Sequence, residues 1–335
     1  MSVRSDPPTT HPRGIRILVL LARLAVSAAL LAALGMHIDL EGMVRRWYSA
    51  DMPLLVGATL LLLSLTLLNA GRWRIILRLA GHAITLARAE SYVLIGMFFN
   101  QTVFPSLAGE VAKVWLARRA GIPLSITVAS LLVDRSLALA GLALLATTTL
   151  LLSVKGVITL GSTLVLPLVA LIAAIAMAVL LVARMDRVQL PAWLERPLFG
   201  TLARLMQLTL GDARTRAVTL AMSVAIHVGI ATAMFLIACS HGVPMQLGHC
   251  LALVPPVMLL AMLPVSLAGW GLREGAMVVA FGQVGIGAPD TFLVSTTFGG
   301  IMLFLGLSGG IPLLFWRRDP VCEIHVAPEV LPHDR

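Results

Sequence analysis

Six ionisable residues fall inside long apolar stretches of the sequence, where a charged side chain is expensive to place. They are Glu110, Lys113, Asp134, Arg135, Arg273 and Glu274. A charge near the centre of a bilayer costs about 2.5–3.5 kcal/mol on insertion scales, so each of these groups needs a partner or water. These residues therefore either form ion pairs with one another or line a polar cavity that binds an anionic group.

The two explanations use these residues differently. If the charges neutralise one another, Arg135 pairs with Asp134 or Glu110. Glu274 then pairs with its neighbour Arg273 or with the lysine. If the residues line a cavity, the three cations bind an anionic headgroup, and one of the two glutamates couples a proton to that binding. The sequence leaves both explanations open.

Four of the six residues directly follow two similar breaks in the apolar pattern. The segment Ser106-Leu107-Ala108-Gly109, after Pro105, recurs as Ser266-Leu267-Ala268-Gly269, after Pro264. Small residues that open a helix present free backbone N–H groups and the positive end of the helix dipole, which suits a phosphate or carboxylate. The alternative is that the glycines only permit a tight turn and close packing, and the two roles are compatible. The candidate substrate-binding residues are the six charged residues with Arg72, Asn100, Ser106, Gly109, Ser266 and Gly269.

The composition shows what kind of elements must position these residues. Of 335 residues, 59% are apolar and only 12% are charged, with a mean hydropathy of +0.95. Soluble domains have about 25% charged residues, so this chain has too few charges to cover a water-facing surface. The sequence therefore predicts an all-α, polytopic integral membrane protein and excludes a soluble enzyme, a disordered chain and a disulfide scaffold.

Six apolar runs have the roughly 20 residues that are needed to cross the hydrocarbon core. They cover residues 15–36, 52–70, 125–153, 157–182, 217–240 and 290–316. Two further apolar regions, 91–120 and 248–286, are interrupted near their centres by proline, glycine and polar residues. Each half is too short to cross, so we predict two re-entrant helical hairpins. Irregular backbone at that depth requires shielding by protein or a wet cavity.

Basic residues set the orientation. With the N-terminus inside, 19 of the 25 lysines and arginines face the cytoplasm and three face outward, as the positive-inside rule requires. The net charge of +9 therefore reflects topology rather than nucleic-acid binding. Halves 15–155 and 156–316 have the same element order in opposite orientation, which predicts an inverted-topology repeat. A leader (1–14) and a tail (317–335) then lie in the cytoplasm.

Several chemistries have no signal in the sequence. The three cysteines form no CxxC pair, and no phosphate-binding loop, zinc-protease motif or nucleophile elbow is present. We expect no cofactor, no metal and no catalytic activity. Arg72-Trp73-Arg74 is typical of an anchor at the membrane interface, with a phosphate contact near a cavity mouth as the alternative.

The chain resembles the lysylphosphatidylglycerol synthase transmembrane-region family, also called the flippase-like domain family. The matching features occur in order: Arg72-Trp73-Arg74, Asn100, the segment from Pro105 to Lys113, Asp134-Arg135, and the segment from Pro264 to Glu274. The resemblance covers residues 15–316 and implies a membrane domain that handles lipids. Family members include the membrane half of multiple peptide resistance factor, which translocates aminoacylated phosphatidylglycerol, and proteins linked to dolichol-sugar or hopanoid pathways.

Two features depart from that family. Many members have Gly-Gly-Asp after the first proline, whereas this chain has Ala108-Gly109-Glu110, whose acid is one methylene longer. The soluble aminoacyltransferase domain of the two-part synthases is missing from the sequence, so synthesis of lysyl-lipid is not implied.

From the charges and the resemblance we expect a lipid flippase in the inner membrane that moves an anionic or amphiphilic lipid between leaflets. The lipid would be a modified phospholipid, a polyprenyl-phosphate-linked lipid or a hopanoid-type lipid. The alternatives are a membrane subunit that presents a lipid to a separate transferase, and a secondary transporter of small solutes. The oligomeric state, a homo-oligomer included, is left open.

Overall fold

A computed structural model describes residues 40–102, 108–154, 197–261 and 270–314, together with positions 25 and 29. Within these residues every regular element is a helix. The predicted spans 15–36 and 157–182, the leader, the tail, and the tip residues Ser106, Ser266 and Gly269 lie outside the described residues.

Long apolar helices form the frame of the molecule. They are α2 (Met52–Leu79), α5 (Leu124–Val154), α7 (Ala213–Ser240) and α10 (Ala288–Ser308). By length and composition, α2, α5, α7 and the stretch Ala288–Leu314 can each cross a membrane. The predicted all-α polytopic membrane protein is thereby confirmed.

Two boundaries differ from the prediction. Helix α2 continues nine residues beyond the predicted end at residue 70. Arg72 and Trp73 are buried in protein, so they do not mark the membrane–water interface at which the helix was expected to end. The predicted span 290–316 divides into α10 and the short α11 (Ile311–Leu314). The break coincides with Gly309, whose Cα lies so close to the Leu94 carbonyl that a Cβ would clash.

Two pairs of short helices occupy the positions of the predicted hairpins. The first pair is α3 (Leu86–Thr102) and α4 (Ala108–Arg119), and the second is α8 (Leu247–Ala261) and α9 (Leu272–Gly282). Each helix has 17 residues or fewer, which is short of a full crossing. The two members of each pair pack against each other, as expected for a hairpin. The remaining elements are α1 (Leu40–Tyr48) and α6 (Pro197–Gly211).

The two halves of the chain repeat the same design. Helices α2 and α7 each have 28 residues, and each begins after an aspartate, Asp51 or Asp212, that accepts a hydrogen bond from a first-turn N–H. Each ends before a glycine in the left-handed region, Gly81 at φ +82° and Gly242 at φ +65°. A hairpin and another long helix follow in both halves.

The equivalent helices α2 and α7 run antiparallel along each other. The N–H of Asp51, at the start of α2, donates to the carbonyl of Ser240, at the end of α7, over 2.9 Å. Further along, Arg72 Nη1 donates to Ser223 Oγ over 2.9 Å. Equivalent helices that pair in opposite directions are what an inverted-topology repeat requires.

Candidate functional site

A buried ion pair joins α2 to α5. The Arg72 guanidinium donates from Nε to Asp134 Oδ1 over 2.7 Å and from Nη2 to Asp134 Oδ2 over 3.0 Å. Both side chains are almost fully buried. Ser223 on α7 and Asn69 on α2 accept two further hydrogen bonds from the guanidinium. The pair is thus bidentate and is supported by two neutral acceptors, a geometry suited to holding three long helices together.

The expected interfacial anchor Arg72-Trp73-Arg74 is wrong for its first two residues. Trp73 is buried, and its indole N–H donates to Ser130 Oγ over 3.0 Å. Ser130 and Asp134 are four residues apart on α5 and so lie on one helix face. Hydrogen bonds to this polar face hold Arg72 and Trp73 in the interior, whereas an interface anchor would have remained at the surface. Arg74 donates to the Ile84 carbonyl over 2.8 Å and is partly buried.

A second cluster joins the first hairpin to α5. Glu110, in the first turn of α4, lies 2.8 Å from Lys113 Nζ through Oε2. Its other oxygen, Oε1, accepts a hydrogen bond from Arg135 Nη2. Lys113 Nζ also lies 5.8 Å from the centroid of the Trp73 ring, a cation–π contact. We call Glu110, Lys113 and Arg135 the Glu110 cluster.

The Glu110 cluster is electrostatically unbalanced. Two cations share one carboxylate, whereas the neighbouring pair of Arg72 and Asp134 is neutral on its own. The Arg135 side chain keeps 45% of its surface exposed although it belongs to a helix long enough to span the membrane. Counted over its three residues, the cluster therefore has a net charge of +1, and the guanidinium of Arg135 is partly exposed.

Of the two partners that the sequence allowed for Arg135, the structure shows Glu110 and not Asp134. Glu110 pairs with Arg135, but Asp134 pairs with Arg72. Consecutive residues on an α-helix point about 100° apart, so Asp134 faces α2 while Arg135 faces α4. Sequence adjacency could not show which neighbouring helix each charge meets.

The first half-helix is capped by the opposite arm of its hairpin. The Gly109 N–H donates to Asn100 Oδ1 over 2.8 Å. A Cβ at Gly109 would lie 2.6 Å from the Asn100 side-chain nitrogen and closer still to the Gly96 carbonyl oxygen, so only glycine fits. The close packing expected of the tip glycine is therefore present. The expected anion contact at the tip stays a prediction, because Asn100 occupies this N–H.

The second hairpin carries a closed charge cluster. Arg273 donates to Glu274 Oε1, and the Gly271 N–H donates to Glu274 Oε2 over 2.6 Å. Ser295 lies 3.3 Å from both Arg273 Nε and Glu274 Oε1, and both charged residues are buried. Arg273 also contacts the rings of Trp270 and Phe298. Glu274 pairs with its neighbour Arg273, as the internal-pairing explanation expected.

The two clusters have different electrostatic roles. In the second, a protein carboxylate already occupies the positive end of α9, and its own arginine neutralises it. In the first, an amide caps α4, and the carboxylate is shared between two cations. Among the described residues, no hydrogen bond or ion pair joins the Glu110 cluster to Arg273 or Glu274. Of the two, the Glu110 cluster is the one in which the cations outnumber the carboxylates.

Sequence reasoning missed the neutral hydrogen-bond partners of Arg72, Trp73 and Arg273. Ser223, Ser130 and Ser295 each accept a hydrogen bond from a buried charged or aromatic side chain. Isolated serines in apolar helices carry no sequence signal of their own. Asn69 could have been found, because it lies three residues before Arg72 on one helix face. Within the described ranges, no group of three histidine, cysteine or acidic side chains could hold a metal ion.

Comparison with known families identifies the chain. The family described as "Lysylphosphatidylglycerol synthase TM region" matches residues 20–310, which include both hairpins and both clusters. No curated protein matches the chain. The matched family connects this multi-pass membrane protein with a function related to membrane lipids. Because the match covers most of the sequence, the chain belongs to the lysylphosphatidylglycerol synthase TM region family.

Proposed function

We propose that the protein is a lipid flippase of the inner membrane, with both termini in the cytoplasm, and that it is not an enzyme. Its cargo is an anionic or amphiphilic lipid: a modified phospholipid, a polyprenyl-phosphate-linked lipid or a hopanoid-type lipid. The observation that carries the proposal is the Glu110 cluster, in which two cations share one carboxylate beside a spanning helix.

An anionic headgroup is the natural complement of this cluster. A phosphate oxygen bound at the open side of Arg135 would balance the excess charge without displacing Lys113 from Glu110. A hydrogen bond to a charged group contributes about 1.5–3 kcal/mol, which corresponds to about 10- to 150-fold in affinity. That figure is a net contribution, because it already counts the exchange of hydrogen bonds with water.

The hairpin architecture supports transport rather than simple binding. Helix α4 enters only part of the way through the protein, and its first turn carries Glu110. A headgroup at this position is already inside the membrane-spanning region, while its hydrocarbon chains can stay in the bilayer. Leaving the chains there avoids the cost of exposing apolar surface to water, which is about 25 cal/mol for each Å2.

The decisive experiment measures lipid exchange by the purified chain. Proteoliposomes are loaded with fluorescent phosphatidylglycerol, and the fraction that moves to the outer leaflet is followed by dithionite quenching. We expect Arg135→Ala to slow exchange about tenfold or more. Glu110→Gln should also slow exchange but retain lipid binding, because the two cations then hold the headgroup without a competing carboxylate that helps to release it.

Arg118→Ala is the matched control. Arg118 is an exposed arginine in the last turn of α4, the helix that carries Glu110, so its loss removes the same charge as Arg135→Ala but away from the cluster. Exchange that continues unchanged in Arg135→Ala contradicts the proposed site. If the wild-type chain exchanges neither this lipid nor any extracted native lipid, the protein is instead a subunit that presents lipid to a separate transferase. Mass spectrometry of co-purified lipids then identifies the cargo.

A further inference from the structure

A glutamate outside the candidate site lies between α2 and the first hairpin. Glu90 is in the second turn of α3, and its Oε1 lies 2.5 Å from the hydroxyl oxygen of Thr66 on α2. Thr66 is buried near the middle of this 28-residue helix, which is long enough to span the membrane. Arg74 donates to the Ile84 carbonyl, so the segment before α3 runs back along α2. Glu90 therefore meets α2 deep within a spanning helix.

The hydrogen bonds at Thr66 require a proton from Glu90. The Thr66 hydroxyl oxygen lies 2.6 Å from the Leu63 carbonyl oxygen and 2.5 Å from Glu90 Oε1. Two oxygens at such a distance need a hydrogen between them, and a hydroxyl has only one to donate. If the hydroxyl donates to Leu63, the second hydrogen belongs to a protonated Glu90, which donates to Thr66. An ionised Glu90 can only accept, so one of the two contacts would lack a hydrogen.

The other carboxyl oxygen of Glu90 also favours the neutral acid. Oε2 is shielded from solvent and has no hydrogen-bond partner among the described residues. A carboxylate shares its charge between both oxygens, and an isolated charge is far more costly to bury than a neutral polar group. Glu110 and Glu274, the other glutamates whose side chains the structure describes, are in ion pairs. Glu90 lies at a similar contact between helices without a cation.

The helices packed against α3 do not supply that cation within the described ranges. Helix α3 packs against α2, α4, α10 and α11. The charged and titratable residues are Arg72, Arg74 and Arg78 on α2, Glu110, Lys113, Arg118 and Arg119 on α4, and Asp290 on α10, with Arg88 and Tyr92 on α3 itself. No ion pair between described residues joins any of them to Glu90. A protonated Glu90 leaves its contact with Thr66 without a net charge.

We propose that Glu90 is a proton-binding site within the membrane-spanning part of the protein, and that its bound proton holds the first hairpin against α2. Loss of the proton leaves an unpaired charge at the contact with Thr66, which favours separation of α3 from α2 because a carboxylate is more stable in water. Asn100, further along α3, caps the half-helix that carries Glu110, so the position of α3 also sets that of the Glu110 cluster. The site does not rest on the proposed flippase function, because its ligand is a proton.

Infrared spectroscopy tests whether the proton is present. The full chain is purified in dodecyl maltoside, a detergent without carbonyl groups, and its spectrum is compared with that of Glu90→Gln at about pH 7, where ordinary carboxyl groups are ionised. We expect the wild type to show the carbonyl band of a protonated carboxylic acid and Glu90→Gln to lose it. Asp51→Asn is the matched control, because it removes an exposed carboxyl at the start of α2 and should leave the band unchanged.

A second variant keeps the carboxyl and removes its acceptor. Valine has nearly the shape of threonine but no hydroxyl, so Thr66→Val leaves the Glu90 proton without the oxygen to which it donates. We expect the carboxylic acid band to remain and to move in frequency. This result is informative even if Glu90→Gln does not fold.

Hydrogen exchange tests whether the proton holds the hairpin. Protection of the α3 amides, corrected for intrinsic exchange rates, is measured as the pH rises above about 7, where ordinary histidines are neutral. Separation of α3 from α2 then releases the Glu90 proton, so protection in the wild type should fall by up to about tenfold for each pH unit. The glutamine of Glu90→Gln cannot ionise but can still donate to Thr66, so its α3 amides should keep their protection.

Each result bears on one part of the proposal. A spectrum at neutral pH without a carboxylic acid band that depends on Glu90 or Thr66 overturns the proton site. Protection of α3 that ignores the pH, or that falls equally in Glu90→Gln, overturns the role of the proton in holding the hairpin. A chain that exchanges no lipid but shows the band and the pH-dependent protection supports this site and rejects the flippase.

Discussion

Removal of the Asp134 carboxylate should destabilise the protein strongly, because it leaves Arg72 charged and buried. In Asp134→Asn the guanidinium keeps its hydrogen bonds to Ser223 and Asn69 but loses its counter-ion. Breaking a buried ion pair on one side costs about 3–5 kcal/mol. Because Ser223 and Asn69 still accept hydrogen bonds from the guanidinium, we expect the free energy of unfolding to fall by about 3 kcal/mol, near the lower end of this range. At about 2 °C per kcal/mol, the melting temperature should fall by about 6 °C.

A buried thiol provides the assay. Cys250 is fully buried, so its reaction with a fluorogenic maleimide reports unfolding as the temperature rises. Cys239 is exposed and reacts before unfolding, and the sequence has a third cysteine, Cys322, so both proteins carry Cys239→Ser and Cys322→Ser. The melting temperature of Asp134→Asn is then compared with that of the same background in detergent and in lipid nanodiscs.

The double variant identifies the cause. Replacing both partners, as Arg72→Met with Asp134→Leu, leaves no unpaired charge and should recover most of the lost stability. We expect a coupling energy of about 2 kcal/mol or more between the two sites. A melting temperature of Asp134→Asn within about 2 °C of its background would refute the reasoning, as would a double variant less stable than either single one. Arg135→Gln is the control, because its half-exposed side chain should contribute less than about 1 kcal/mol.

Three further predictions follow from close packing and burial. Gly109→Ala should lower the free energy of unfolding by about 1–3 kcal/mol, since its Cβ clashes with the Asn100 amide; denaturation in detergent measures the loss, and an unchanged midpoint contradicts the packing. Gly141→Val should have a similar effect, because a Cβ there lies 2.6 Å from Ser223 Cβ; it should also loosen the contact between α5 and α7, seen as faster hydrogen exchange in both helices. Burial lowers the pKa of His82, in the turn between α2 and α3, from its ordinary value of 6.5. The unfolded chain therefore binds this proton more readily, so stability should fall as the pH drops below about 6.5, and His82→Gln should flatten that dependence in melting curves.

The helical framework could be predicted from the sequence because each of its signals is local. Runs of roughly 20 or more apolar residues, the shortest of them 19 residues long, identified the spanning helices now seen as α2, α5, α7 and α10. The interruptions before Ala108 and Leu272 identified both pairs of short helices. Hydropathy and helix-breaking residues act over a few turns, so no knowledge of neighbouring helices was needed.

The pairing of charges could not be predicted, because it depends on which helix faces are in contact. Arg72 has the sequence context of an interface anchor, and only the approach of α2 to α5 brings it to Asp134. The crossing of α5 and α7 depends on Gly141, which leaves room for Ser223 to reach Arg72. These contacts join residues 62 and 151 positions apart in the chain. No local pattern specifies such pairs.

The structure also explains why one half of the inverted repeat carries an unbalanced charge cluster while the cluster in the other half is neutral. Glu110 and Glu274 are both the third residue of their half-helix, so the repeat places equivalent carboxylates at both tips. The residue before each glutamate decides its role. Gly109 lets Asn100 approach and cap α4, which leaves the Glu110 carboxylate to the two cations. Arg273 neutralises Glu274, which caps α9 itself.

On the proposed function, this difference at one position separates the roles of the two halves. The Glu110 cluster would bind the headgroup, whereas the Arg273 cluster, whose charge Glu274 and Ser295 already satisfy, would not compete for it. Among the residues described, the asymmetry between Gly109 and Arg273 therefore leaves one unbalanced charge cluster in a repeated scaffold.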